Sequence, residues 1–209
     1  MLCTKCSRPI LPVVAIDIDG TLGDYHGHFI EFAEAYLGHS LPRDYDGVGE
    51  FSDSLGIPKA TYREVKLAYR QGGGKRCMPV DPFAYQLMYS LRTQAEVFIT
   101  TTRPYLRLDS TDPDTRHWLQ RHRIQYDGLL YDEDKYTVLA GIVHPDRVVA
   151  VLDDLKSQLD SAERQFGPVG FLRRNHWNRG LIHERTVFTL REAELYIIDR
   201  INKWKEQHA

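Results

Sequence analysis

The chain has 209 residues, with 27 Lys+Arg against 29 Asp+Glu and a formal net charge of −2. That length allows one domain with a subdomain and a sizeable core. The balanced charge excludes a global basic field for nucleic acid or anionic membrane, so polyanion binding would need a local patch. No apolar run approaches the ~18 residues of a membrane span, and three cysteines make no disulfide framework, which suits a reducing cytoplasm.

The chain opens with Cys3-Thr-Lys-Cys6, half of a zinc knuckle. A structural zinc needs four ligands, and only Cys77 and a histidine could complete it. A tail over residues 1–9 carrying two free thiols is the preferred reading. The apolar stretch from Ile10 to Ile16 is broken by Pro12, stops at Asp17 and lacks a small-residue cleavage site, so it is no signal-peptide core. Val13-Val-Ala-Ile16 reads instead as a strand buried on both faces of a parallel sheet. It runs into Asp17-Ile-Asp19-Gly20-Thr21-Leu22. Residues i and i+2 of a strand project to one side, which puts both carboxylates in one pocket at the strand's C-terminal end, where open α/β sheets bind ligands. A divalent cation would relieve their repulsion, and hard oxygen ligands favour Mg²⁺.

Residues 24–78 read as a mostly helical insertion. Phe29, Phe32, Ala33, Tyr36 and Leu37 share one helical face, a looser Pro- and Gly-containing stretch follows, and a second helix starts after Pro58. It ends at Gly72-Gly73-Gly74, which lacks the following Gly-Lys-Ser/Thr of a phosphate loop and reads as a flexible hinge. The insertion would lie over the acidic turn as a lid. Its aromatics, Tyr45 and Phe51 among them, either stack a base or form the lid's own core, the second being preferred.

Asp81-Pro82 predicts an N-cap and first position for a helix burying Phe83, Leu87, Met88 and Leu91. Glu96 to Thr102 predicts the second parallel strand, with Thr100-Thr101-Thr102-Arg103-Pro104 at its end. A hydroxyl there can donate to a phosphoryl oxygen, and the Arg103 fork suits bidentate phosphate contact or, equally, a surface ion pair. Asp112-Pro113 predicts another capped helix, burying Trp118 and Leu119. Gly128 to Tyr131 is a short strand followed by an acidic loop and Lys135. Val148 to Leu152 is a buried strand ending in Asp153-Asp154, Val169 to Leu172 a fifth strand, and the loop Arg173 to Arg179 could reach a substrate. A Thr189-x-x-Glu192 capping box starts a final helix carrying Leu195, Ile198 and Ile201.

Asp-x-Asp-Gly-Thr-Leu, the Thr101 strand end, Lys135 and Asp153-Asp154 follow one another in the order of the four motifs of the haloacid dehalogenase superfamily of phosphotransferases, which this chain resembles. The resemblance runs from Asp17 to Asp154. It implies a Rossmann-like parallel sheet of about five strands flanked by helices, formed by residues 10–23 and 79–209, with residues 24–78 as a C1-type cap. It implies Asp17 as nucleophile, forming an aspartyl-phosphate, and Asp19 as general acid and base. Thr101 and Lys135 would clamp phosphoryl oxygens. Mg²⁺ would be held by Asp17, Asp153 and the backbone carbonyl of Asp19, while Asp154 would hold a metal-bound water or orient Lys135.

Within the superfamily the layout resembles the 5'(3')-deoxyribonucleotidases in the length of its insertion, in Asp24 and in the Asp-Lys pair ahead of Asp153. It departs from them at Thr102-Arg103, the residues expected to meet substrate, which resemble the 3'-phosphatase domain of phage-type polynucleotide kinases. The implied substrate is a small phosphorylated molecule, a nucleoside monophosphate by the first resemblance or a nucleic-acid 3' end by the second, with no membrane partner and the oligomeric state open. A catalytically silent binding module recruiting a partner through the CxxC end is the rival of a different class.

Overall fold

A computed structural model describes residues 10–208. Cys3 and Cys6, and with them the zinc knuckle, lie outside the described residues; Cys77 is an exposed free thiol. Six strands form one sheet: β1 (Val13–Ile16), β2 (Glu96–Thr101), β3 (Gly128–Tyr131), β4 (Val148–Asp153), β5 (Gly170–Arg173) and β6 (Thr186–Val187), in the order β3-β2-β1-β4-β5-β6. Every pairing is parallel. The sixth strand exceeds the sequence expectation because two residues are too short for a readable apolar run.

Strands β1 and β4 are buried throughout, as their continuous apolar sequences require. Alternate residues of β1 feed different cores. Val14 and Ile16 pack with Leu87, Trp118 and Ile197, which lie on α5 (Ala84–Arg92), α6 (Thr111–Arg121) and α9 (Leu190–Gln207). Val13 and Ala15 pack with Leu139 and Leu159, from α7 (Lys135–Ala140) and α8 (Lys156–Phe166). Ile16 pairs with both Ile99 and Leu152, so Asp17, the β2 threonines and Asp153 leave the sheet together where the strand order reverses.

Residues 24–78 contain α1 (Tyr25–Leu37), α2 (Phe51–Ser54), α3 (Lys59–Gln71) and α4 (Gly74–Cys77). Their two ends are joined by hydrogen bonds from Asp24 N to the Pro79 carbonyl at 3.0 Å and from Asp81 N to the Leu22 carbonyl at 2.8 Å. Phe29, Ile30, Val65 and Tyr69 form a separate apolar cluster with Phe32, Tyr45, Phe51 and Trp177, while Tyr36 is exposed. Most of these aromatics are therefore packing, not a base platform.

Several local expectations shift. Gly72-Gly73-Gly74 is a tight turn and not a loose hinge: Gly73 has φ 75° and Gly74 is buried against Tyr69, where a Cβ would overlap the ring. Asp81 accepts from Phe83 N at 2.9 Å, but α5 starts later and Phe83 is largely exposed. Asp112 and Pro113 lie inside the first turn of α6, not at its cap. Thr189 does cap α9, yet the buried stripe is Leu190, Ala193, Ile197, Ile201 and Trp204, and Leu195 faces solvent. A short apolar stripe fixes a helix more firmly than the rotation of its face.

Candidate active site

Asp17 follows β1 and is buried. Its Oδ1 accepts from Lys135 Nζ at 2.5 Å. Lys135, the first residue of α7, is also 2.7 Å from Asp153 Oδ2 and donates to the Thr100 carbonyl at 3.3 Å. Both Asp153 oxygens are engaged: Oδ2 also accepts from the Tyr136 hydroxyl at 2.7 Å, and Oδ1 accepts a single bond from Leu155 N at 2.9 Å. Lys135 is therefore oriented by Asp17 and Asp153, and Asp154, expected either to hold a metal-bound water or to orient Lys135, makes no hydrogen bond to it. Asp154 is buried with Oδ1 unpartnered.

The turn that carries Asp19 is built around Asp154. Gly20 has φ 92°, and a Cβ there would overlap the Asp154 carboxylate. The loop after β5 ties both down: Asn175 Nδ2 donates to the Gly20 carbonyl at 2.8 Å and Asn178 Nδ2 to the Asp154 carbonyl at 2.9 Å. Asp17, Asp153 and Asp154 bring one carboxylate oxygen each within 4.8 Å of one another. Burial raises Asp17 to about 7, with Lys135 opposing and Asp153 and Asp19 adding to the rise. Burial, then Asp17 and Asp153, push Asp154 well above the usual carboxylate range. Clustered hard oxygens, one left without a partner, fit a small divalent cation.

Asp19 faces the same cavity but has different company. Arg103 Nε lies 3.1 Å from its Oδ2 and Arg103 Nη2 2.7 Å from Oδ1, while Lys75 Nζ is 2.5 Å from Oδ2. Against the upward push of burial, these two cations hold the Asp19 carboxyl well below the usual range. Arg103 is neither a surface ion pair nor a free phosphate fork. It is buried, and its remaining nitrogen donates to Thr115 Oγ1 at 2.9 Å. Thr101 is buried with its hydroxyl accepting from Arg103 N at 3.3 Å, and Thr102 lines the cavity.

The cavity holds about 190 Å³, between Asp17, Asp19 and Asp154 on one wall and Tyr25, His26, Lys66, Arg70 and Lys75 on the other. None of the second group was singled out in the sequence. Lys75 comes from α4, directed inward by the glycine turn, and its ammonium sits 3.6 Å from the Tyr25 ring centroid. Burial lowers it to about 7, with Asp19 opposing. His26 is lowered to about 4 by burial and then by Lys75, so the ring is neutral at pH 7. The only available signal was Lys66-x-x-x-Arg70, two cations on one helical face opposite an apolar one.

The loop arginines are tied to protein groups, Arg173 and Arg174 half-buried and Arg179 exposed. Arg173 pairs with Asp81 at 3.0 Å, Arg174 donates to the Asn178 and Leu181 carbonyls at 2.7 Å, and Arg179 to the Asp44 carbonyl at 2.7 Å. Arg107 pairs with the exposed Glu133 at 3.1 Å.

No family model and no curated protein sequence matches the chain. Solved structures do. A haloacid dehalogenase-like family hydrolase from Streptococcus pneumoniae superposes with a TM-score of 0.61 at 18% identity, over 89% of this chain and 98% of that one. CbbY from Rhodobacter sphaeroides, determined with phosphate, gives 0.59 at 15% identity over 91% and 100%. The haloacid dehalogenase-like hydrolase YfnB from Bacillus subtilis, bound to magnesium, gives 0.59 at 11% identity over 91% and 100%. The chain thus has the fold of the haloacid dehalogenase-like hydrolases, as its motifs implied.

Proposed function

We propose that this protein is a Mg²⁺-dependent phosphomonoester hydrolase that works through an aspartyl-phosphate on Asp17, with a nucleoside monophosphate as substrate. The observation that carries the reading is the division of the site. Asp17 stands beside an ammonium and near Asp154, which keeps an unpartnered carboxylate oxygen, with a second acid, Asp19, lining the same cavity. Asp17, Asp154 and the backbone carbonyl of Asp19 would hold Mg²⁺, whose charge when bound offsets that of the phosphoryl oxygens. This exchanges the parts given to the last two acids by the motif order, because Asp153 already has both oxygens occupied.

An Asp17 oxygen attacks phosphorus, and the leaving ester oxygen departs with a proton from Asp19. Asp19 then takes a proton from the water that hydrolyses the acyl phosphate. Lys135 neutralises the reacting group from behind. The ionised Asp19 in this structure suits the second half. For the first half, Lys75 and Arg103 must transfer their charge to the incoming phosphate, which lets Asp19 hold a proton.

Residues 24–78 are read as the cap and residues 10–23 and 79–209 as the core. A cavity below the roughly 300 Å³ of ordinary ligand sites suits a small molecule better than a threaded strand. Tyr25 and His26 offer a base its aromatic contact. Arg173 and Arg174, on the loop expected to reach a substrate, are held by protein groups, which weakens the polynucleotide 3'-phosphatase reading. A phosphate-release assay on p-nitrophenyl phosphate and nucleoside monophosphates, with and without Mg²⁺, tests the proposal. Metal-dependent release lost in Asp17→Asn supports it, and metal-independent release or release by Asp17→Asn refutes it.

A further inference from the structure

The charges around the cavity divide into two unequal halves. On the sheet side, Asp17, Asp153 and Asp154 stand against Lys135 alone. Counted with every group ionised, their excess of two negative charges matches one divalent cation. Lys66, Arg70, Lys75 and Arg103 line the same cavity, and among the described residues the only acid ion-paired with any of these four is Asp19. Counted the same way, these four cations exceed Asp19 by three positive charges, one more than a phosphomonoester dianion neutralises.

The surplus is localised on α3. Lys75 and Arg103 both pair with Asp19, but neither Lys66 nor Arg70 forms an ion pair among the described residues. Lys66 Nζ has only the Tyr62 hydroxyl, at 3.2 Å, as partner. Arg70 Nε is buried and makes no hydrogen bond. The two residues are one helical turn apart and line one cavity, so they repel each other across i and i+4. Packing gains nothing from this arrangement. Two like charges half removed from water and ion-paired with no acid among the described residues cost stability, and an anion between them removes that cost. Burial, then Arg70, lowers Lys66 to about 8, in line with two cations sharing one poorly solvated wall.

We infer that Lys66 and Arg70 form a second anion subsite, and that the substrate is a phosphomonoester whose leaving group carries a further phosphate or carboxylate. The inference rests on the phosphatase reading for which phosphate is transferred, and it replaces the nucleoside monophosphate of that reading with a substrate that carries a second anion. Among nucleotides it favours a nucleoside bisphosphate over a monophosphate. The Arg70 fork supplies paired donors to either anion, and Lys66 a mobile point charge.

Calorimetric binding to the full-length Asp17→Asn protein in Mg²⁺ tests this without turnover. Two matched pairs serve as probes: adenosine 5'-monophosphate against adenosine 3',5'-bisphosphate, and ethyl phosphate against phosphoglycolate. In at least one pair the second anion should tighten binding tenfold or more. That ratio should fall to near one when Lys66→Met and Arg70→Met are added, and should survive Lys66→Arg. Ratios near one in both pairs, a ratio that persists in the double variant, or no binding by any of the four overturns the inference. Wild-type phosphate release from p-nitrophenyl phosphate reads the underlying proposal separately. Release with flat binding ratios defeats the subsite alone, and discriminating binding with no release from any probe defeats the phosphatase reading alone.

Discussion

Arg103 grips Asp19 through two nitrogens, at 3.1 and 2.7 Å, and is itself locked by Thr115 at 2.9 Å. The carboxylate so held belongs to the residue proposed to donate a proton, and the grip keeps it ionised. Arg103→Met should therefore lower kcat/KM by about a hundredfold while moving the alkaline limb of the pH–rate profile upward, because Asp19, which must be protonated to act as acid, loses a cation that depresses its pKa. Arg103→Lys keeps the charge but loses the fork, and should fall between. A pH profile of kcat/KM for the three proteins checks both statements; an unmoved alkaline limb in Arg103→Met would show that Arg103 does not set the protonation of Asp19.

The metal-free protein should show the strain of its carboxylates. Asp17 rises from 3.8 to about 7 on folding, so between those values the native state binds more protons than the unfolded one. Stability from this group is then greatest below pH 4, falls as pH rises towards 7 and is level above. Asp17→Asn removes that dependence. In chelator, the variant's stability relative to wild type should grow from about pH 4 to pH 7 and then plateau, and saturating Mg²⁺ should shrink the difference. Denaturant unfolding of both proteins across pH is the measurement.

Asp154 and Asp153 should separate cleanly. Asp154→Asn should raise the Mg²⁺ concentration needed for half-maximal activity, and Ca²⁺, which takes a looser shell, should not restore turnover. Tyr136→Phe leaves Asp154 untouched and removes one partner of Asp153. It should lower kcat through Lys135, by roughly tenfold or more, with a smaller change in Mg²⁺ requirement. The Mg²⁺ titrations of the two variants decide which carboxylate serves the ion.

Gly74→Ala tests the link from the glycine turn to the site. The new methyl would overlap the Tyr69 ring, an overpacking cost of about 1–3 kcal/mol, and the adjustment would move Lys75 from Asp19. Thermal unfolding and kcat/KM should both fall. A variant less stable but fully active would show that the placement of Lys75 is not needed.

How much of this was legible follows from the range of each signal. The central strands announce themselves because burial on both faces forces continuous apolar runs. The acids were legible because they terminate those runs. Lys75 was hidden because a lysine after three glycines looks solvated; only the packing of Gly74 on Tyr69 sends it inward. Which of Asp153 and Asp154 faces the cavity was also closed to sequence, since adjacent residues at a strand end take opposite sides according to a register that Tyr136 and Leu155 N fix. The rotation of α9, misplaced by Leu195, is decided by the sheet it covers.

Covalent phosphorylation of Asp17 is directly observable. Wild-type protein should be mixed with substrate and Mg²⁺, quenched in acid within one turnover and mapped by mass spectrometry. A base-labile phosphate is expected on the peptide carrying Asp17, absent with chelator and absent in Asp17→Asn. Turnover with no phosphorylated protein, or with the label on any other residue, would contradict it.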